Sequence, residues 1–151
     1  MAPKVLRMRR LSARRRGCPV IAWDPSLATG DAMIDRQHQE LYRIVSELHQ
    51  ACLDGLAQDR VDQILDRLLT YTVVHFDAEE RLMAKSSYPP LAVKAHFSQH
   101  GDLKRRVGAL IEQRENGELT TVMPVVELVH EWLGTHINCT DRQMIKYLRS
   151  H

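Results

Sequence analysis

The chain is 151 residues long, 44% hydrophobic and 26% charged, the size and balance of one domain with a single core and no disulfide framework. Three cysteines (Cys18, Cys52 and Cys139) make an odd number without a paired short spacing. That argues against a Cys-rich scaffold or a Cys-type zinc site and fits a reducing cytoplasm. No apolar run approaches the roughly 20 residues that cross a bilayer, so no membrane span is expected.

The net charge of +2 conceals an asymmetry. Residues 1–16 carry seven Lys and Arg and no acid, which leaves 14 basic against 19 acidic side chains in the remainder. Residues 1–17 therefore read as a basic leader, expected to be a disordered extension or a start placed too early; a targeting segment, a nucleic-acid tail or a membrane-surface tail are the other readings. Its apolar residues Val5, Leu6, Met8 and Leu11 are too sparse for a secretory segment. Residues 18–151 form a mildly acidic body, for which no nucleic-acid partner is expected.

From Cys18 to Gly30, Pro19, Pro25 and Gly30 break regularity, so this stretch reads as an irregular arm with Trp23 as an apolar plug. A first helix is predicted from about Met33–Asp35 to Asp54–Gly55, on the stripe Ile34, Leu41, Ile44, Val45, Leu48 and Cys52. A second runs from about Arg60 to Lys85 through Val61, Ile64, Leu65, Leu68, Phe76 and Met83, and Ser86–Pro90 stops it. A third is predicted from Leu91 to Arg114 through Leu103, Val107, Leu110 and Ile111. The fourth starts near Thr120–Pro124 and continues through Val125, Val129, Trp132, Leu133 and Ile137 towards Tyr147. Nothing alternates with period two. Long helices joined by short loops predict an all-α, up-down-up-down four-helix bundle behind the arm.

Seven polar residues interrupt the inward stripes. His38 lies on the first, His75 and Glu79 on the second, His96 and His100 on the third, and His136 with Asp141 on the fourth. A lone core histidine is ordinarily hydrogen-bonded rather than metallated. Five imidazoles and two carboxylates on four inward faces are different, because burying each unpaired costs several kcal/mol, on the order of 2–7. One metal cluster satisfies all seven. Zinc favours a single four-ligand site, whereas this set suits two six-coordinate redox metals bridged by the carboxylates. The cluster is expected near mid-length of the bundle. His130-Glu131 is a decoy for the zinc-protease motif, since position 134 is Gly. His49, His130 and His151 have no ligand-spaced partner, Glu80 is expected to face solvent, and Cys139 is read as filler.

These residues resemble the hemerythrins, and the single-domain bacterial members most closely, from about Val20 to Leu148. The resemblance rests on Trp23, Ile34-Asp35-x-Gln37-His38-x-x-Leu41, His75-Phe76-x-x-Glu79-Glu80, Tyr88-Pro89, His96-x-x-x-His100 and Trp132-Leu133-x-x-His136-Ile137-x-x-x-Asp141. Ser46 stands where family members often carry Asn, and the basic leader departs from the family pattern. The resemblance implies a non-heme di-iron centre with an oxo or hydroxo bridge. One iron would be held by His96, His100 and His136, the other by His38 and His75, with Glu79 and Asp141 bridging.

Six ligands would then surround the first iron and five the second, leaving one position for dioxygen, with Phe76, Trp132 and Leu133 as the oxygen pocket. The implied function is reversible dioxygen binding by a carrier, store or supplier, without enzymatic activity. The expected chain is monomeric, and an oxygen-using enzyme is a possible partner. The alternatives are a di-iron oxidase or peroxidase, a nitric oxide scavenger, or an oxygen- or redox-sensing module. Ferritin-like di-iron oxidases offer a contrast, because they use paired Glu-x-x-His elements, and none lies on these stripes.

Overall fold

The computed structural model describes residues 21–151; the leader, 1–17, and the start of the arm lie outside them. The arm makes one 3-10 turn, Pro25–Leu27, in which the Asp24 carboxylate accepts the Ser26 N–H at 2.8 Å. Its far end is tied to the first helix, where the Asp35 carboxylate accepts the Thr29 N–H, the Thr29 hydroxyl and the Gly30 N–H. Gly30 sits at φ +97°, a left-handed conformation that favours glycine. From the other end of the chain, Arg142 donates to the Ser26 carbonyl and Arg149 to that of Gly30. The arm is thus clamped, with Ile21 and Leu27 buried.

Helix α1 spans Ala32–Leu53 and is capped by Asp31, whose carboxylate accepts the Ile34 N–H. Helix α2 spans Gln58–Ala84 and α3 spans Pro90–Glu115, with Pro90 in the first turn, where a missing N–H costs nothing. The predicted fourth helix is three consecutive pieces: α4 (Met123–His136), a π turn (Ile137–Asp141) and α5 (Arg142–Ser150). Its backbone stays right-handed through both junctions, so the rod is continuous. No strand occurs among the described residues. Neighbours α1–α2, α2–α3, α3–α4 and α1–α4 close the ring of an up-down-up-down bundle. No helix of the described residues is long and apolar enough to cross a membrane.

The core divides in two. The larger part includes Leu41, Val45, Leu48, Leu65, Leu68, Leu103, Val126 and Val129. The smaller contains Ile34, Met83, Tyr88, Met144 and Ile145. The buried polar residues lie on the stretches between these clusters. The polar layer therefore sits off-centre on α1, α2 and α3, nearer the end where α1 and α3 begin and α2 ends, and near mid-length on the fourth rod, at His136 and Asp141. The smaller apolar cluster closes that end, and the arm is tied to its last helix through Arg142 and Arg149.

Candidate metal centre

All seven stripe-breaking residues are buried, with exposures between 0% for His38, Glu79 and Asp141 and 4% for His136. Each reaches the centre because its helix turns one face inward. His75 and Glu79 are one α-turn apart on α2, as are His96 and His100 on α3. On the fourth rod the five-residue step from His136 to Asp141 is accommodated by the π turn, as the helix geometry requires.

The two carboxylates divide the imidazoles into groups. Glu79 places Oε1 at 3.0 Å from His75 Nε2 and 3.4 Å from His38 Nε2, and Oε2 at 3.1 Å from His96 Nε2 and 3.0 Å from His100 Nε2. Asp141 places Oδ2 at 3.0 Å from His38 Nε2, and Oδ1 at 3.1 Å from His96 Nε2 and 2.9 Å from His136 Nε2. One oxygen of each carboxylate thus serves His38 and His75, or His38 alone, while the other serves the trio His96, His100 and His136. In each of the two groups, the donor atoms lie within 4.8 Å of one another.

Many of these close approaches are not hydrogen bonds. His38 Nε2, His136 Nε2, Glu79 Oε1 and both Asp141 oxygens are buried without a hydrogen-bond partner among the described residues. A buried polar atom left so costs about 1–3 kcal/mol. Donors crowded together yet misaligned for one another fit a shared cation, which pairs with every lone pair at once. The residues present therefore fit a metal site: five Nε2 nitrogens and two carboxylates, each facing both donor groups.

Outside this shell, three ring nitrogens are held from behind. His75 Nδ1–H donates to Gln37 Oε1 at 2.7 Å and His136 Nδ1–H to Gln99 Oε1 at 2.7 Å. Gln99 also accepts the Thr140 hydroxyl, from within the π turn. His100 Nδ1–H donates to Glu80 Oε1 at 3.0 Å. Each bond keeps the proton on Nδ1 and leaves the Nε2 lone pair free for the centre. Glu80, expected to face solvent, is in fact turned to His100 with its side chain 25% exposed. The supporting roles of Glu80 and Gln99 were not foreseen from the sequence, and Gln37 entered only as part of a motif.

Charge in the metal-free chain follows from the same geometry. Burial pulls the pKa of His38 and His96 down, but Asp141 and Glu79 outweigh it and raise both to about 9. Burial also works against ionised Glu79 and Asp141, yet the surrounding imidazoles hold both carboxyls below their ordinary range. At His136 burial wins and its pKa is lowered.

Aromatic rings pack on the trio. Phe76 stacks on His100 with centroids 3.7 Å apart, and Trp132 stacks on His136 at 4.1 Å. Phe76 is 6.1 Å from His75, and Trp23 of the arm is 6.4 Å from His38. Leu133 is buried in the larger core. His49, His130 and His151 lie outside both donor groups; His130 faces Tyr42, and the His151 ring stacks on Tyr147. Cys52 and Cys139 are free thiols, the second exposed.

Comparison with known proteins agrees with this arrangement. The family model described as "Hemerythrin HHE cation binding domain" matches residues 29–148. A bacteriohemerythrin of Methylococcus capsulatus is 30% identical over 114 residues, covering 76% of this chain and 85% of its own. Those of Ralstonia nicotianae and Pseudomonas aeruginosa are 28% and 29% identical, covering 86% and 85% of this chain and 90% and 82% of theirs. No solved structure gives a significant match. With the family match spanning all four helices and every one of the seven buried donors, this chain belongs to the hemerythrin family.

Proposed function

We propose that His38, His75, Glu79, His96, His100, His136 and Asp141 hold two iron ions and that the chain binds dioxygen reversibly there. The observation that carries this reading is the division of the donors, in which each carboxylate turns one oxygen to the trio and the other to the His38–His75 side. Three imidazoles against two leaves the second ion one protein ligand short, which is the asymmetry an open coordination position requires. The relatives named bacteriohemerythrin support iron over another redox metal.

Two irons held by these seven residues would supply the electrons for reversible dioxygen binding. The chain supplies the surroundings. Gln37, Gln99 and Glu80 orient three imidazoles before the metal arrives, which lowers the reorganisation needed on binding. Phe76 and Trp132 fix the planes of His100 and His136 by stacking. Together with Leu133 they keep water from the centre, so that protons reach it slowly and oxygen leaves as it came.

The test is an oxygen cycle on the reduced, iron-loaded chain. The reading predicts uptake of one dioxygen per iron pair, with an absorption band that appears under oxygen and vanishes on evacuation. Continuous oxygen consumption with release of hydrogen peroxide would move the assignment to the oxidase alternative.

A further inference from the structure

Three of the five imidazoles are backed by a side chain, and the backing is unequal. His75 and His136 donate to the neutral amides of Gln37 and Gln99, whereas His100 donates to a carboxylate, Glu80. Beyond Glu79 and Asp141, among the described residues negative charge thus reaches the centre at one imidazole only, and that imidazole belongs to the trio. A hydrogen bond to an ionised acceptor is roughly twice as strong as a neutral one, and a carboxylate behind a ligating histidine makes it a more basic ligand.

We propose that Glu80 is a positioning residue that lends its negative charge, through His100, to the three-imidazole half of the centre and so favours the higher oxidation state of the ion held there. This rests on the di-iron reading above. The amide-backed His75 gives the opposite half no such charge, so the two ions are electronically unequal even before dioxygen binds. Phe76 holds the His100 ring by stacking at 3.7 Å, and that leaves the Nδ1–Glu80 bond as the adjustable contact. The Lys104 ammonium, 5.6 Å from the Phe76 ring, is present in every variant below and cancels in comparison.

The test is potentiometric titration of the full chain loaded with two irons, stepped with a one-electron chemical reductant. Glu80→Gln keeps an oxygen acceptor for Nδ1–H and removes only the charge. It should retain both irons and shift the one-electron equilibrium about tenfold towards the reduced ion, a rise of about 59 mV. In Glu80→Gln/Gln99→Glu a carboxylate returns behind His136 of the same trio, and the potential should fall back towards wild type.

Equal potentials in wild type and Glu80→Gln, at equal iron content, would overturn the proposal. Should Glu80→Gln not fold, Gln99→Glu alone decides, because a second carboxylate on the trio must lower the potential and an unchanged value contradicts the idea. Oxygen cycling of the wild type separates the two readings. A shifted potential without reversible uptake leaves Glu80 its role and removes the carrier function, whereas a wild type that takes up no metal pair removes both.

Discussion

His136 and Asp141 are five residues apart, yet His136 Nε2 stands 2.9 Å from Asp141 Oδ1. In an ideal α-helix that step turns the second residue about 140° away from the first. The π turn Ile137–Asp141 removes most of that rotation, and Thr140 within it is anchored through Gln99 to the ring nitrogen of His136. Backbone irregularity, the α3 glutamine and the buried carboxylate are one device.

If the turn is fixed by its surroundings, a carboxylate moved to the ordinary four-residue spacing cannot replace Asp141. The exchange Thr140→Asp/Asp141→Thr should leave a folded bundle that binds fewer than two metal ions per chain by elemental analysis. Full metal content would show that the rod rewinds freely and that the π turn is a consequence of the metal rather than its cradle.

The pH dependence of the metal-free chain has a definite sign. His38 and His96 are raised to about 9, so their contribution to stability is complete below the ordinary histidine pKa of 6.5 and is lost as pH rises through about 9. Glu79 and Asp141 are lowered, so their contribution is present above the ordinary carboxylate range and is lost as pH falls below it. Denaturant midpoints should therefore decline on both the acid and the alkaline side. Two protons on His38 and His96 also balance the two carboxylates, so metal loading near pH 7.5 should release about two protons, measurable with a weakly buffered indicator. Loading without proton release would contradict the raised values.

Much of this was legible in the sequence. Helix ends fell within a few residues of prediction, because proline at the second loop and glycine at the first leave little choice. The seven buried polar residues stood out because polar residues on a core stripe are costly. What sequence did not show is the supporting layer, and its rule is visible only in three dimensions. Gln37 precedes His38 and backs His75, Gln99 precedes His100 and backs His136, and Glu80 follows Glu79 and backs His100. A neighbour of a donor is turned about 100° from it, and so meets the histidine of the next helix rather than its own. The position of the centre was also out of reach, since it depends on how the smaller core at one end packs.

Leu133 supplies a probe of water exclusion. It is 3% exposed, and Leu133→Ala should cost roughly 2–5 kcal/mol, read from urea unfolding. Because no donor is removed, iron content should match wild type, while spontaneous oxidation of the reduced protein should quicken several-fold by stopped absorbance traces. Unchanged oxidation would mean that Phe76 and Trp132 exclude water without it.

The seven candidate donors and the clamps from Arg142 and Arg149 all lie beyond residue 17. A chain beginning at Cys18 should therefore match the full chain in metal content and thermal midpoint within about 2 °C, the lower end of the shift expected from a 1 kcal/mol change. Loss of metal on that truncation would give residues 1–17 a structural part in the centre.

The central claim is that one buried volume holds two metal ions through all seven donors. A crystal structure of the iron-loaded chain, with anomalous maps on either side of the iron edge, tests it most directly. The account predicts two iron peaks about 3–4 Å apart, one among the Nε2 atoms of His96, His100 and His136, the other beside those of His38 and His75, with Glu79 and Asp141 spanning both. A single peak, or any of the five imidazoles turned away with Nε2 off the metal, would contradict it.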